Sequence, residues 1–309
     1  MTMLRRTLLK TSENTWLREH ATSSRILLRS VRRFLPGETL EEAVAACGEL
    51  GRSNISTVLT HLGENIADRG EAAAATRHYL DVLACIRSSG LTTEISVKLT
   101  QLGLDLDPDF CLANLTTLLE YAPTRGTIWI DMEQSAYVES TLHLFNRAQL
   151  VSRNVGVCVQ AYLRRTEKDV EALISVGAAV RLVKGAYNEA ANIAFSKKRE
   201  VDESYFRLAT KLLGKEARRN GVRIALATHD RNLIKRITTW AASERLKPQD
   251  LEFQMLYGIQ RALQLELAEE GYGSRVLISY GNFWFPWFMR RLAERPANVL
   301  FLLRNLFAA

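Results

Sequence analysis

Eight short apolar runs recur along the chain, spaced so that a helix fits between each and the next. They are ISTVLT (55–60), EISVKLT (94–100), TIWIDM (127–132), VGVCVQAY (155–162), AAVRLVKGAY (178–187), RIALATHD (223–230), LEFQML (251–256) and RVLISY (275–280). The intervening segments have helical periodicity, as in EAAAATRHYLDVLACIRSSG and DESYFRLATKLLGKEARRNG. Gly90, Gly177, Gly221 and Gly271 stand where a helix C-cap takes glycine. Strands alternating with helices build a parallel sheet, and eight of them close into a (β/α)8 barrel, for which 309 residues is an ordinary length. A doubly wound sheet needs a glycine-rich turn after its first strand, and TVLTHLGEN lacks GxGxxG. The predicted fold is therefore α/β, a TIM barrel over residues 54–309 with a helical segment, residues 1–53, packed on its outside.

In such a barrel the carboxyl ends of the strands carry the site. Alternation puts Ser96 and Lys98 on one face of their run and Ile95, Val97 and Leu99 on the other. Trp129 and Asp131 share a face, as do Cys158 and Gln160. Lys184 ends the fifth run, Thr228 and His229 the sixth, and Gln254 closes the seventh. Polar groups at one level predict a ring around a pocket. Lys98, Arg181 and Lys184 are its cations and Asp131 is the matching anion. WFPWFMRRLAER (284–295) adds Arg290 and Arg291, with Glu294 one turn on. Alone, RRLAE reads as a solvated helix with an intrahelical ion pair. Phe283, Trp284, Phe285, Trp287 and Phe288 would exclude water around it, and a desolvated guanidinium grips a carboxylate through two parallel bonds. Such a ring suits a large anionic cofactor and a small carboxylate substrate.

Composition excludes other classes. The net charge is +7, but the basic residues are scattered, and no nucleic-acid-binding module is recognisable. The five histidines show no HExxH pattern, and no metal is expected. Cys47, Cys85, Cys111 and Cys158 lack metal-ligand or CxxC spacing and read as reduced thiols of a cytoplasmic protein. No run approaches the roughly eighteen apolar residues of a spanning helix, so the expected contact with a membrane is peripheral at most.

ISVKLTQLGLDLD, IDME, VQAYLRRT, VRLVKGAY, ATHD, EFQMLYGI and RRLAERPANV resemble, in order, the motifs of the proline dehydrogenase family, especially its short monofunctional bacterial type. The likeness covers roughly residues 36–300. It implies a distorted barrel holding FAD. It also implies oxidation of L-proline to Δ1-pyrroline-5-carboxylate, electrons leaving through a membrane quinone, and a pyrroline-5-carboxylate dehydrogenase as a partner. By this resemblance Lys98, Arg290 and Arg291 bind the substrate carboxylate, and Asp131 braces the pocket. Leu256, Leu277, Tyr280 and Trp287 line the substrate side. Gln160 hydrogen-bonds the flavin and Arg181 lies near its N5 edge. Lys184, Gly185, Ala186 and Tyr187 run along the cofactor, with Thr228, His229 and Gln254. Glu294 supports the last helix and the cofactor ribose. By the same resemblance Lys98, Asp131 and Arg181 are expected to carry the chemistry.

Two positions depart from the family pattern. Trp287 and Leu277 stand where the family has tyrosines that wall the substrate ring, and SYG replaces a proline-containing turn. The alternatives are a modified proline or another cyclic secondary amine as substrate, or a silent barrel that only binds.

Overall fold

The computed structural model describes residues 31–63, 66–123 and 126–285. The eight runs are its eight strands: β1 Ser56–His61, β2 Thr93–Val97, β3 Ile128–Ile130, β4 Val155–Gln160, β5 Ala179–Val183, β6 Arg223–Ala227, β7 Glu252–Leu256 and β8 Gly273–Tyr280. They pair in sequence order, all parallel, and β8 returns to β1 to close the barrel. The helices around it are α1 Leu40–Gly51, α2 Arg69–Ser89, α3 Pro108–Tyr121, α4 Val138–Val151, α5 Thr166–Ser175, α6 Lys198–Leu212, α7 Lys215–Arg219, α8 Arg231–Ser243 and α9 Arg261–Glu269. Gly90, Gly177, Gly221 and Gly271 all take the left-handed φ that ends a helix. Of the helices expected in the first fifty residues, α1 is described. Its Ala43, Ala46, Cys47 and Leu50 are buried in the core outside the barrel.

The period of two sorts each strand into two cores. Outward residues such as Leu59, Ile95, Val157 and Ile278 pack under the helices. Inside, Val58, Trp129 and Ala225 meet, with Ala179 and Leu277 against them. The indole of Trp129 fits because its neighbour on β4 is glycine: a Cβ on Gly156 would lie 2.6 Å from Trp129 Cε3.

Below this layer, at the amino ends of the strands, four charges cluster, with Glu94 and Arg275 buried and Arg223 and Glu252 part-exposed. Arg223 pairs with Glu94 at 2.6 Å and Glu252 at 2.8 Å, and Arg275 lies 3.2 Å from Glu252 and 3.6 Å from Glu94. Trp129 Nε1 donates to Glu94 at 2.7 Å. Paired and hydrogen-bonded, these charges can stay in the interior.

The β1–β2 seam needs a helix to complete it. Its ladder runs from Thr57↔Thr93 to Leu59↔Ile95 and then stops. The next rung would join the His61 N–H to the Ser96 carbonyl. The Tyr79 hydroxyl, from α2, stands in it instead. It accepts from His61 N at 3.1 Å and donates to Ser96 O at 3.1 Å.

Candidate active site

The site lies at the carboxyl ends of the strands. Ser96 on β2 and Arg181 on β5 point inward, and Lys98 and Asp131 follow β2 and β3 directly. Ser96 Oγ donates to Asp131 Oδ1 at 2.6 Å, and Arg181 Nη1 donates to Asp131 Oδ1 and to Ser96 Oγ, both at 2.8 Å. Lys98 Nζ is 3.8 Å from the other carboxylate oxygen. Asp131 thus ties two cations together, one buried and one half-buried. Arg181 is only 3% exposed, yet its Nε and Nη2 have no acceptor among the described residues. Gln160, at the end of β4, donates its amide to the Glu133 carbonyl at 2.7 Å and leaves Oε1 buried without a donor among the described residues. Buried donors and acceptors without partners are rare. Among the described residues, two guanidinium nitrogens of Arg181 and one carbonyl oxygen of Gln160 are left over here.

Glu133 completes this side. Thr100 donates its hydroxyl to it at 2.9 Å, and burial lifts its carboxyl above the usual range against the pull of Lys98 and Thr100. Lys184, just past β5, lies 2.5 Å from Asp202 on α6 and 2.8 Å from Asp230 before α8, and Lys198 bonds the same two carboxylates. The sequence expectation of three cations facing one anion is therefore corrected. Lys184 is neutralised by partners brought in from α6 and the β6–α8 turn, and Glu133 joins Asp131 near Lys98.

Burial alone would raise the Asp230 carboxyl, but Lys184 and Lys198 outweigh it and hold it well below the ordinary aspartate range. A depressed native pKa stabilises the fold above the unfolded value, about 3.9, and that contribution fades as pH falls through the native one. Asp230→Asn keeps the cap on α8, where Asp230 accepts from Asn232 N and Leu233 N. The Tm gap between wild type and Asp230→Asn should be full near neutrality. It should shrink as the pH drops from about 5 to about 3. A gap that does not change with pH would remove the ion pairs as its cause.

The β5–α6 loop, residues 184–197, crosses the neighbouring strand ends. Gly185 adopts φ 107° and lies on the Tyr162 ring, where a Cβ would come within 2.1 Å of Cδ1. Ala186 and Tyr187 follow in the same loop. Phe195 N donates to Tyr162 O, and Glu189 accepts from Ser135 N and Oγ at 2.7 and 2.6 Å. Thr228 turns its hydroxyl to Asp230 N, and His229 Nε2 accepts from Leu256 N at 2.9 Å.

Some expected site residues stand elsewhere. Gln254 lies inside the barrel but donates to Glu252 at 2.6 Å, so it belongs to the charged layer below the ring. Tyr280 points outward into the helix-facing core, with its hydroxyl 2.7 Å from His78 Nε2 on α2. Leu256 and Leu277 are on the inward side of β7 and β8. Trp284 and Phe285 are buried, Trp284 Nε1 donating to Glu38, whereas Phe283 is exposed. Trp287, Phe288, Arg290, Arg291 and Glu294 lie outside the described residues. Sequence reasoning passed over Glu94, Glu133, Asp202 and Lys198. It placed Ser96 beside Lys98 without giving it a role. Alternation put Ser96 on the right face and, read to the start of the same run, puts Glu94 there too; nothing local marks Glu133, Asp202 or Lys198.

An eight-stranded barrel whose polar ring joins a buried arginine, a carboxylate and a lysine at its carboxyl-end mouth has the form of an enzyme built on this fold. The family described as proline dehydrogenase matches residues 43–304, and the chain belongs to that family. It is 38% identical over 305 residues to proline dehydrogenase 1 of Bacillus subtilis subsp. natto, covering 98% of this chain and 99% of that one. It is 33% identical over 280 residues to proline dehydrogenase of Deinococcus radiodurans, covering 89% of each. Among solved structures it resembles proline utilization A from Bdellovibrio bacteriovorus in fold, with a TM-score of 0.80 at 24% identity, over 94% of this chain and 36% of that one.

Proposed function

We propose that the chain oxidises L-proline to Δ1-pyrroline-5-carboxylate with FAD as its cofactor and passes the electrons to a membrane quinone. Family membership supports the reaction. The observation that carries the cofactor is the leftover hydrogen-bonding capacity at the mouth: Arg181 Nε and Nη2 and Gln160 Oε1. The edge of a flavin ring offers several acceptors and one N–H donor, and two donors with one acceptor fit it. Bound there, FAD supplies a two-electron acceptor at N5.

The chain's own residues do the rest. Lys98, with Arg290 and Arg291, holds the substrate carboxylate, and Asp131 keeps Lys98 and Arg181 in register with each other. Arg181 brings positive charge to the cofactor, where charge accumulates on reduction. Leu256, Leu277 and Trp287 wall the substrate ring and exclude water. Lys184, Gly185, Ala186, Tyr187, Thr228 and His229 lie along the cofactor, with Glu294. A separate pyrroline-5-carboxylate dehydrogenase takes the product. No described helix is long and apolar enough to cross a membrane, so the quinone would be met at the surface. A second reading rests on Leu277, an apolar, part-exposed side chain on the inward side of β8: the substrate is then a modified proline or another cyclic secondary amine.

The test is a visible spectrum of purified protein before and after anaerobic addition of L-proline. The reading expects an oxidised flavin band that proline bleaches. Bleaching by another cyclic amine alone would favour the second substrate, and colourless protein that refuses added FAD would leave a barrel that only binds. Arg290→Met and Arg291→Met should each raise KM for proline about 10- to 100-fold while flavin stays bound, the scale of one charged hydrogen bond. An unchanged KM in both removes the carboxylate clamp.

A further inference from the structure

Arg181 does not hold its position through Asp131 and Ser96 alone. Its Cζ lies 4.6 Å from the centroid of the Trp129 ring, a cation–π distance. That ring is fully buried and fixed on several sides. Nε1 donates to Glu94 at 2.7 Å, and the Arg223 guanidinium also lies over the ring, at 5.2 Å. Glu94 is in turn held by Arg223 at 2.6 Å and by the Thr127 N–H at 3.2 Å. Gly156, lacking a Cβ, leaves the indole its space. The charges at the floor are thus connected through one side chain to Arg181 above them.

We propose that Trp129, anchored by Glu94, is a positioning residue for Arg181: the indole supports the guanidinium from below while Asp131 and Ser96 hold Nη1, which leaves Nε and Nη2 free to face the mouth as donors. Neither residue reaches the mouth itself. Their role toward the cofactor rests on the FAD reading above, because the property they set is how firmly Arg181 presents its charge to the flavin. A guanidinium held in place stabilises reduced flavin more than one that wanders, since its dipoles need no rearrangement when the charge arrives. The arrangement separates two properties of one side chain. The Nε1 bond to Glu94 serves the fold, and the π face serves Arg181.

Two substitutions separate them. Trp129→Phe keeps an aromatic face and loses the Nε1 donor; Trp129→Leu loses both. Both should unfold at lower denaturant than wild type, by similar amounts, because both leave Glu94 without that donor. The midpoint potential of bound FAD should differ between them. In Trp129→Leu the reduced flavin should be held about tenfold less tightly relative to the oxidised form, a fall of about 30 mV for a two-electron couple. In Trp129→Phe the potential should return most of the way to wild type. Equal potentials in wild type and Trp129→Leu overturn the proposal. So do equal shifts in both variants, which would reduce Trp129 to packing.

A crystal structure of Trp129→Leu decides the geometric part without any flavin. The guanidinium should tilt out of its wild-type plane about Nη1, still held by Ser96 and Asp131, and an Arg181 found unmoved overturns the proposal. Wild-type protein that takes up no FAD sinks the cofactor reading instead, and the crystal structure then judges the positioning by itself.

Discussion

On the FAD reading proposed above, Arg181→Met should slow the reduction of bound flavin by proline about 10²- to 10³-fold, the usual cost of removing one preorganised donor from a site where charge develops. Methionine fills much of the same volume over Trp129, so little should change in packing. What goes is one positive charge and two buried guanidinium nitrogens with no acceptor among the described residues. Asp131 keeps Ser96 at 2.6 Å and Lys98 at 3.8 Å, and it is 22% exposed, so water can reach it and the fold should survive. FAD should also dissociate more readily. Stopped-flow mixing with proline under anaerobic conditions reads the rate directly. A rate within a few-fold of wild type would mean that Arg181 contributes nothing beyond holding Asp131, and the site would have to be rebuilt around Lys98.

Glu94→Leu should cost about 3–5 kcal/mol of stability, the penalty of removing one partner from a buried charge network. Glu94 is 4% exposed on its side chain and accepts from Trp129 Nε1, Thr127 N and Arg223, with Arg275 3.6 Å away. Leucine leaves two guanidiniums to one carboxylate, Glu252, and strands the indole N–H and the Thr127 N–H. A domain of ordinary stability has about 5–15 kcal/mol in all, so the loss should be plain in a urea titration. Glu94→Leu with Arg275→Leu should recover part of it, because the uncompensated charge leaves with the second change. A single variant as stable as wild type would show that water reaches the barrel floor and screens its charges.

The order of the eight strands could be read from hydrophobic runs alone, because a strand buried on both faces is a continuous apolar stretch. Their ends could not. The run read as 178–187 leaves the sheet after Val183, and the run read as 94–100 leaves it after Val97 and turns through Thr100–Leu102. In each case a lysine comes next, Lys184 and Lys98, and the backbone loses its neighbours just before it. Alternation was a sound guide to face. It put Trp129 with Asp131 and Cys158 with Gln160, and followed consistently it also turns Tyr280 outward, since Leu277 and Ser279 face in. Resemblance had set Tyr280 at the substrate against that parity. Height along the barrel axis is what alternation cannot give. Gln254 shares a face with Leu256 but sits one layer lower, beside Glu252. Charge balance was misjudged for a related reason: Asp202 and Lys198 belong to helix α6, and only the folded chain brings them to Lys184.

The Tyr79 hydroxyl standing between His61 and Ser96 makes a side chain part of the sheet's backbone bonding. The barrel cannot part at that seam while helix α2 stays seated, nor can α2 lift away without undoing a rung. Amide exchange should reveal this: the His61 proton should trade with solvent at the rate of the helix, not at the rate of its neighbours in the strand. Ser96 gives its carbonyl to that rung and its hydroxyl to Asp131, so loosening the outer helix would be felt at the carboxylate that joins Arg181 to Lys98.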